Sequence, residues 1–370
     1  MKIRYAMFVA AALLVLAAGQ VSKAVNTREI DDVREKRVLD KDDLKAIDDF
    51  ISEAVEEIIR AKDFTGVGGV RSTVVARAVS ATASSAPQYR EQFLDSSYKH
   101  ISAGLKDAEK LTPPDRKFKV MVNLLMLADG MESLRLADIP LGLLNNENTA
   151  VRYWAVHCLT DSGFVKQLNL EAADYKLADK ITEQLKASLA TAGPETVTLI
   201  ASFAAEIKTL PAEDLLLDIA DMRISKYARW NVDYALLDAD ILKLLCNKIL
   251  SSDTANKTAF ARRFAQLYSY AIQRYVRGQD ILSNADKDQL ISMLVETEQA
   301  CIGKLLDVPQ SIIQKAVETN DLTGLMLEHN RLLGDETSAG KLALKLDFDY
   351  GGNKDGSKRL APLALPEPPK

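Results

Sequence analysis

The stretch 139-IPLGLLNNENTAVRYWAVHCL-159 decides the fold class. A first apolar segment ends in Leu-Leu, a polar turn follows, and a second segment opens with Val151 and Arg152. At about 100° per residue in a helix, Val151, Ala155 and Leu159 share one apolar stripe. The stretch therefore predicts two antiparallel helices joined by a short turn, with this stripe buried between helices.

The other side of the second helix carries large amphipathic side chains. Tyr153, Trp154 and His157 fall outside the apolar stripe, and Arg152 lies beside them. Aromatic residues next to an arginine are typical of the few residues that dominate a protein interface. We expect a partner-binding surface here. Packing of Trp154 on a neighbouring helix and hydrogen bonding of His157 would explain the same residues, so that interpretation stays open.

The spacing of the apolar residues at 151–159 recurs along the chain. Four other segments place apolar or small residues at steps of four: 70-VRSTVVARA-78, 118-FKVMVNLLM-126, 197-VTLIASFAA-205 and 224-ISKYARWNV-232. The five starts are separated by 27 to 48 residues, which is about the size of one helical hairpin. Pro114 and Pro194 stand where proline is best tolerated, at expected helix starts. This pattern predicts stacked antiparallel helix pairs.

The clearest single helix is predicted at 41-KDDLKAIDDFISEAVEEIIRA-61, with Asp40 as its N-cap. Its apolar residues recur at steps of three and four, namely Leu44, Ile47, Ile51, Val55 and Ile58. No segment of the chain sustains the period-two alternation of a half-buried strand, and the composition favours helices. We therefore predict an all-α protein.

The helix pairs resemble HEAT and armadillo-like repeats. The motif Val-Arg-x-x-Ala-x-x-x-Leu at 151–159 carries the resemblance, which extends over residues 41–335. It implies a right-handed α-solenoid with irregular repeats, in which the second helix of each pair lines a concave surface. It also implies that Arg152 and Arg71 help to link neighbouring repeats. An ordinary irregular helical domain remains the alternative.

The two ends of the chain differ from this repeat region. Residues 1–24 have the form of a signal peptide: Lys2 and Arg4 precede the apolar run 6-AMFVAAALLVLAAG-19, and small residues stand at the expected cleavage site 22-SKA-24. We expect cleavage after Ala24 and export to a periplasmic or extracellular location, with an uncleaved anchor as the alternative. Residues 25–40 form a lead-in, and residues 336–370 are expected to be a largely disordered tail, Pro-rich at its end.

The charge of the chain argues against a nucleic-acid partner. Removing Lys2, Arg4 and Lys23 from a chain of net charge −5 leaves −8, which repels nucleic acid overall. The segment 262-RRFAQLYSYAIQRYVR-277 interleaves Arg with Tyr, as single-strand binding grooves do. Its residues Phe264, Leu267, Ala271 and Tyr275 are spaced as a core stripe, so we expect a buried stripe and a solvated basic face.

A second aromatic cluster occurs at 226-KYARWNVDY-234. In a helix, Trp230 and Tyr234 would lie opposite Ala228 and Val232, so they are a second candidate partner surface. Signals for metal binding, cofactors or catalysis are poor, because the histidines and cysteines are widely scattered: His100, His157, His329, Cys158, Cys246 and Cys301. We expect the cysteines to be small buried hydrophobic residues, with one incidental disulfide as the alternative.

Three functional hypotheses compete. The first is an exported, non-enzymatic scaffold that binds a protein or peptide on its concave face. The second is an enzyme on an α/α scaffold, such as a polysaccharide lyase, because Asn146, Arg152, Tyr153 and His157 supply the residue types that such enzymes use. The third is a cell-envelope subunit whose apolar repeat ends pair with copies of itself.

Overall fold

The computed structural model describes residues 27–78, 87–170, 175–353 and 355–369. Throughout these ranges the regular structure is helical and no β-strand occurs, so the all-α prediction is confirmed. The predicted signal peptide at 1–24 lies outside the described residues.

The chain divides into two compact units, Met1–Phe164 and Val165–Lys370. The boundary falls inside a short helix, Ser162–Leu168. The repeat domain predicted over 41–335 spans parts of both units, and its bounds stay a prediction.

The described part of the first unit is built from seven helices and the start of an eighth: α1 (Arg28–Arg34), α2 (Lys41–Arg60), α3 (Val67–Ala78), α4 (Pro87–Ala108), α5 (Pro114–Asp129), α6 (Asp138–Leu141), α7 (Thr149–Thr160) and α8 (Ser162–Leu168). A 3₁₀ turn at Leu134–Leu136 precedes α6. Local chemistry explains where the helices begin. Asp40 and Asp43 form a reciprocal capping box at α2, and Pro114 is the first residue of α5.

Helices of the first unit pack on neighbours that are next, or next but one, in the chain. α2 contacts α3 and α4, α4 contacts α5, and α5 contacts α7. The predicted stripe of α2 is buried at Ile47, Ile51, Val55 and Ile58, while Leu44 is half-buried.

The predicted stripe of apolar residues is buried in α3 but only half-buried in α5. Val70, Val74 and Ala78 are buried as expected. In α5, by contrast, Phe118, Val122 and Met126 are only half-buried, and the buried positions are Val120, Met121, Leu124, Leu125, Leu127 and Ala128. α5 contacts α2, α3, α4 and α7, so its buried surface is set by several neighbours rather than by one four-residue step.

The described part of the second unit contains, besides the rest of α8, the helices α9 (Tyr175–Ser188), α10 (Pro194–Glu206), α11 (Leu210–Ala228), α12 (Leu236–Leu250), α13 (Lys257–Arg277), α14 (Asn284–Thr297), α15 (Gly303–Leu306), α16 (Ile312–Glu318), α17 (Leu322–Leu333) and α18 (Lys341–Leu346). α13 is central, since it contacts α11, α12, α14 and α17. The predicted core stripe of α13 is confirmed, because all four of its members are buried: Phe264, Leu267, Ala271 and Tyr275. In α10, Val197 and Ala201 are buried and Ala205 is half-buried.

The helix predicted over 224–232 ends early. α11 stops at Ala228, and Trp230 and Tyr234 adopt left-handed backbone conformations, with φ of 58° and 56°. Ile224, Ala228 and Val232 are only half-buried, so the predicted stripe is wrong here. The residues that α11 buries in its last turns are Ile219, Ala220, Arg223 and Tyr227.

The described C-terminal residues, 336–353 and 355–369, pack on the rest of the second unit, contrary to the expectation of a largely disordered tail over 336–370. α18 lies within this stretch, and Leu342, Tyr350 and Leu365 are buried. The Tyr350 hydroxyl donates a hydrogen bond to the Leu333 carbonyl at 2.7 Å. A few buried apolar side chains therefore fix the position of a segment whose average composition provides little apolar surface for burial.

Candidate functional site

The α7 helix is positioned by its N-cap and by a fully buried stripe. The Asn148 side-chain oxygen accepts hydrogen bonds from the backbone N–H groups of Ala150 at 2.9 Å and Val151 at 3.2 Å. Val151, Ala155 and Leu159 are fully buried, and the predicted register is confirmed. The helix is therefore fixed in rotation, and its opposite side is presented in one orientation.

Tyr153, Trp154 and His157 pack on one another on that opposite side. The Trp154 and His157 rings are 4.8 Å apart between centroids, and the Tyr153 ring meets Trp154 edge-on at 6.0 Å. All three residues are half-buried. We call these three residues the α7 aromatic face. They are neither core residues nor freely mobile surface side chains, because each ring limits the rotamers of the others.

The His157 ring joins α7 to the end of α5. Its Nδ1 lies 3.2 Å from the Asp129 carboxylate. That hydrogen bond and the attraction of the carboxylate raise the pKa of His157 above its ordinary value of 6.5, against the opposing effect of partial burial. The α7 aromatic face therefore gains its positive charge at a higher pH than an unperturbed histidine would.

The Arg152 side chain folds back onto the turn that precedes α7. Its Nη1 donates to the carbonyls of Asn146 at 2.7 Å and Glu147 at 3.0 Å, and its Nη2 donates to the Thr149 hydroxyl at 3.1 Å. These bonds show a role different from the link between repeats that the family resemblance implies. Arg71, at the corresponding position of α3, does reach another helix, where its guanidinium contacts the Met126 sulfur.

A small cavity behind α7 is lined by both polar and apolar residues: Ala128, Asp129, Glu132, Ser133, Leu136, Pro140, Cys158 and Phe164. The Cys158 thiol donates to the Leu125 carbonyl at 3.4 Å, and burial raises its pKa well above the ordinary value. A thiol in that environment stays protonated, and the thiolate is the nucleophilic form. The geometry therefore gives Cys158 a packing role.

Trp230 and Tyr234 differ in their surroundings. The Trp230 indole N–H donates to the Pro366 carbonyl at 3.0 Å, and the Arg274 guanidinium lies 5.4 Å from the Trp230 ring centroid. Tyr234 is 61% exposed. Trp230 thus contacts the C-terminal residues and is half-buried, whereas most of Tyr234 is open to solvent.

The basic residues of α13 do not form the solvated face that the sequence predicts. Arg262 pairs with Asp349 at 2.5 Å, Arg263 pairs with Asp221 at 2.9 Å, and Arg277 contacts the Leu365 carbonyl and Glu367. Much of this face is covered by residues beyond 348. Sequence reasoning also missed Gln266 and Gln273, which hold the same residues, because a glutamine on a helix carries no signal of its own.

The described ranges contain no helix long and apolar enough to cross a membrane. They also contain no group of three or more His, Cys, Asp or Glu residues placed to hold a metal ion. Cys158, Cys246 and Cys301 are all free and buried. No family model matches the chain, and no similar sequence occurs among the curated proteins.

Proposed function

We propose that this chain is an exported, non-enzymatic helical scaffold that binds a protein or peptide partner. The α7 aromatic face carries the proposal. Its three rings are half-exposed and restrain one another, on a helix whose other side is fully buried. Rigid, partly exposed aromatic side chains lose little conformational entropy when a partner covers them, and they are the residue types that dominate interfaces.

The proposal includes the finer architecture that the resemblance implies. In a right-handed α-solenoid of HEAT or armadillo type with irregular repeats, the second helix of each pair lines the concave surface, which would place the α7 aromatic face in a groove. Within the first unit, the packing of α4 on α5 and of α5 on α7 supports such pairing. Export depends on residues 1–24, whose charged start and apolar run support it.

Two observations favour binding over catalysis. Arg152 uses its guanidinium to hold the turn at Asn146 and Glu147, and Cys158 is a buried, protonated thiol. The side chains that a lyase would need are therefore not gathered as free groups in one pocket around His157.

The test is capture of partners by the purified chain from its own cell envelope. Tyr153→Ala combined with Trp154→Ala should abolish capture and leave the helical content intact. Tyr98→Ala is the matched control, because Tyr98 is 40% exposed in α4 of the same unit and lies outside the α7 aromatic face. Equal capture by all three proteins would contradict the proposal. So would cleavage of an acidic polysaccharide that Tyr153→Phe abolishes.

A further inference from the structure

The C-terminal segment, residues 360–369, carries no helix or strand and runs past successive turns of α13. Four of its residues are prolines, which favour an extended backbone in the residue before them: Pro362, Pro366, Pro368 and Pro369. The side chains that hold it stand at positions 266, 273 and 277, so they share one side of α13.

Two glutamines of α13 bind the backbone of this segment. Gln266 accepts the Leu363 N–H at 2.8 Å and donates to the Leu363 carbonyl at 3.1 Å. Gln273 accepts the Leu365 N–H at 2.8 Å, and its amide nitrogen lies 3.5 Å from the Leu363 carbonyl. A side-chain amide that satisfies both backbone groups of one residue recognises an extended peptide without regard to its side chain.

The segment has one buried anchor and one charged contact. Leu365 is 2% exposed, whereas Leu363 is 48% exposed. After this anchor, the Pro366 carbonyl accepts from Trp230, and Arg277 contacts the Glu367 carboxylate. The selective part of the contact is therefore the sequence Leu-Pro-Glu at 365–367.

The buried Arg274 side chain beside this contact has an unused hydrogen-bond donor. Arg274 is 6% exposed and lies against the rings of Tyr227 and Trp230. Its Nη1 has no hydrogen-bond partner among the described residues. Buried donors are almost always satisfied, so this guanidinium nitrogen next to Trp230 is an unused donor that an acceptor on an incoming peptide would satisfy once residues 360–369 have left.

We propose that this surface is a peptide-binding groove. We call it the α13 groove and define it by Gln266, Gln273, Arg277, Trp230 and Arg274. Its ligand is an extended segment of a partner protein with leucine, proline and an acidic residue in succession. The chain's own C-terminal segment occupies the groove as a displaceable intramolecular ligand.

The way the segment is held supports displacement. Its contacts are mainly hydrogen bonds near solvent, and the Glu367 side chain is 86% exposed. Such contacts open at lower free energy than core packing. Tethering gives the chain's own segment a high effective concentration, so a partner peptide competes best when the tether is cut or pulled away. The proposal lies wholly within the second unit and does not depend on the α7 aromatic face.

The experiment starts from the full-length chain, which folds before it is cut. A protease site is inserted after Gly356, in the exposed turn 355–357, and cleavage follows folding. Trp154→Phe leaves Trp230 as the single tryptophan, so that its emission reports whether the groove is occupied. The probe is a labelled synthetic peptide with the sequence of residues 357–370.

We expect the cut chain to exchange its segment for one labelled peptide per chain, with a change in Trp230 emission. The uncut chain should bind the same peptide at least ~100-fold more weakly, because its tethered copy competes. In the peptide, Leu365→Ala should weaken binding ~10-fold or more, whereas the matched change Leu363→Ala should have little effect, since only the first side chain is buried. A polyalanine peptide that keeps only Leu-Pro-Glu should also exchange.

Three results would overturn the proposal. The first is a cut chain that keeps its fold, by circular dichroism, and never exchanges its segment. The second is exchange only with the chain's own sequence and not with the Leu-Pro-Glu polyalanine peptide, which would make the segment a structural strap. The third is the formation of dimers by reciprocal exchange of segments, without binding of free peptide, which would identify a second copy as the ligand. Capture through the α7 aromatic face is measured separately on uncut chains, so failure of one proposal leaves the other standing.

Discussion

Leu159 and His157 are two positions apart on α7, yet they occupy opposite environments. Leu159 is fully buried, whereas the His157 side chain is 30% exposed. Leu159→Ala should therefore lower the free energy of unfolding by about 2–5 kcal/mol, because it leaves a cavity. His157→Ala removes one partly exposed ion pair and should lower it by about 1 kcal/mol or less. Urea denaturation of the two variants measures both values. The reverse order of effects would mean that the register of α7 is wrong.

The pKa of His157 gives a prediction at the same scale. Because the folded state raises this pKa above 6.5, the ion pair with Asp129 stabilises the protein fully below pH 6.5. That stabilisation is lost as the pH rises through the pKa of the folded state. His329 provides an internal contrast, since burial lowers its pKa. NMR titration should place the His157 pKa above 6.5 and the His329 pKa below it. Asp129→Asn should lower the first and leave the second unchanged; equal responses would contradict the assignment.

Between elements, a buried ion pair joins α11 to the start of α12. Arg223 bonds Asp238 at 2.6 Å, and both side chains are at most 2% exposed. The Tyr227 hydroxyl donates to the same carboxylate at 2.8 Å, and burial raises the pKa of Tyr227, which keeps this donor protonated. Asp238→Ala would leave Arg223 buried without its partner and should lower the free energy of unfolding by about 3–5 kcal/mol.

The control for that change is Asp240→Ala on the same helix, because Asp240 is exposed. Its effect should stay within about 0.5 kcal/mol. The comparison is made by thermal and urea unfolding at neutral pH. A loss of the same size in both variants would point to helix propensity rather than to the ion pair.

The elements also show what the sequence can predict. Helix starts follow local chemistry, so Asp40, Pro114 and Pro194 mark them correctly. The rule of apolar residues at steps of four works for 151–159, where the helix buries one side. It fails for Phe118, Val122 and Met126, because α5 has neighbours on several sides.

The end of α11 has no comparable local signal. Trp230 and Tyr234 take left-handed conformations although neither is glycine or asparagine. These conformations cost free energy that long-range contacts must offset, and one such contact joins Trp230 to Pro366, 136 residues away. Sequence reasoning therefore found Trp230 as a candidate but placed it on a helix that ends two residues before it.

At the scale of the whole molecule, the same limit explains the C-terminal residues. Their composition is poor in apolar groups, and composition alone predicts disorder. Order comes from specific partners, such as Gln266, which lies 97 residues from Leu363 in sequence. Hydrogen bonds from distant side chains to a backbone do not require a repeating pattern of apolar residues in either segment, so the sequence carries no signal for them. The α13 groove was therefore beyond single-sequence prediction, whereas the α7 aromatic face required only helix periodicity.

The last prediction concerns the location of the whole chain and depends on residues 1–24. A positive start, an apolar run shorter than the roughly 20 residues of a membrane span, and Ser22-x-Ala24 together favour export with cleavage. N-terminal sequencing of the protein recovered from its own cells should begin at Val25. Ala24→Phe should block cleavage, because signal peptidase requires a small residue there. A chain that lacks residues 2–24 should stay in the cytosol. Recovery of the unchanged protein from membranes with Met1 still in place would instead show an uncleaved anchor, and the binding surfaces would then act at the membrane rather than in solution.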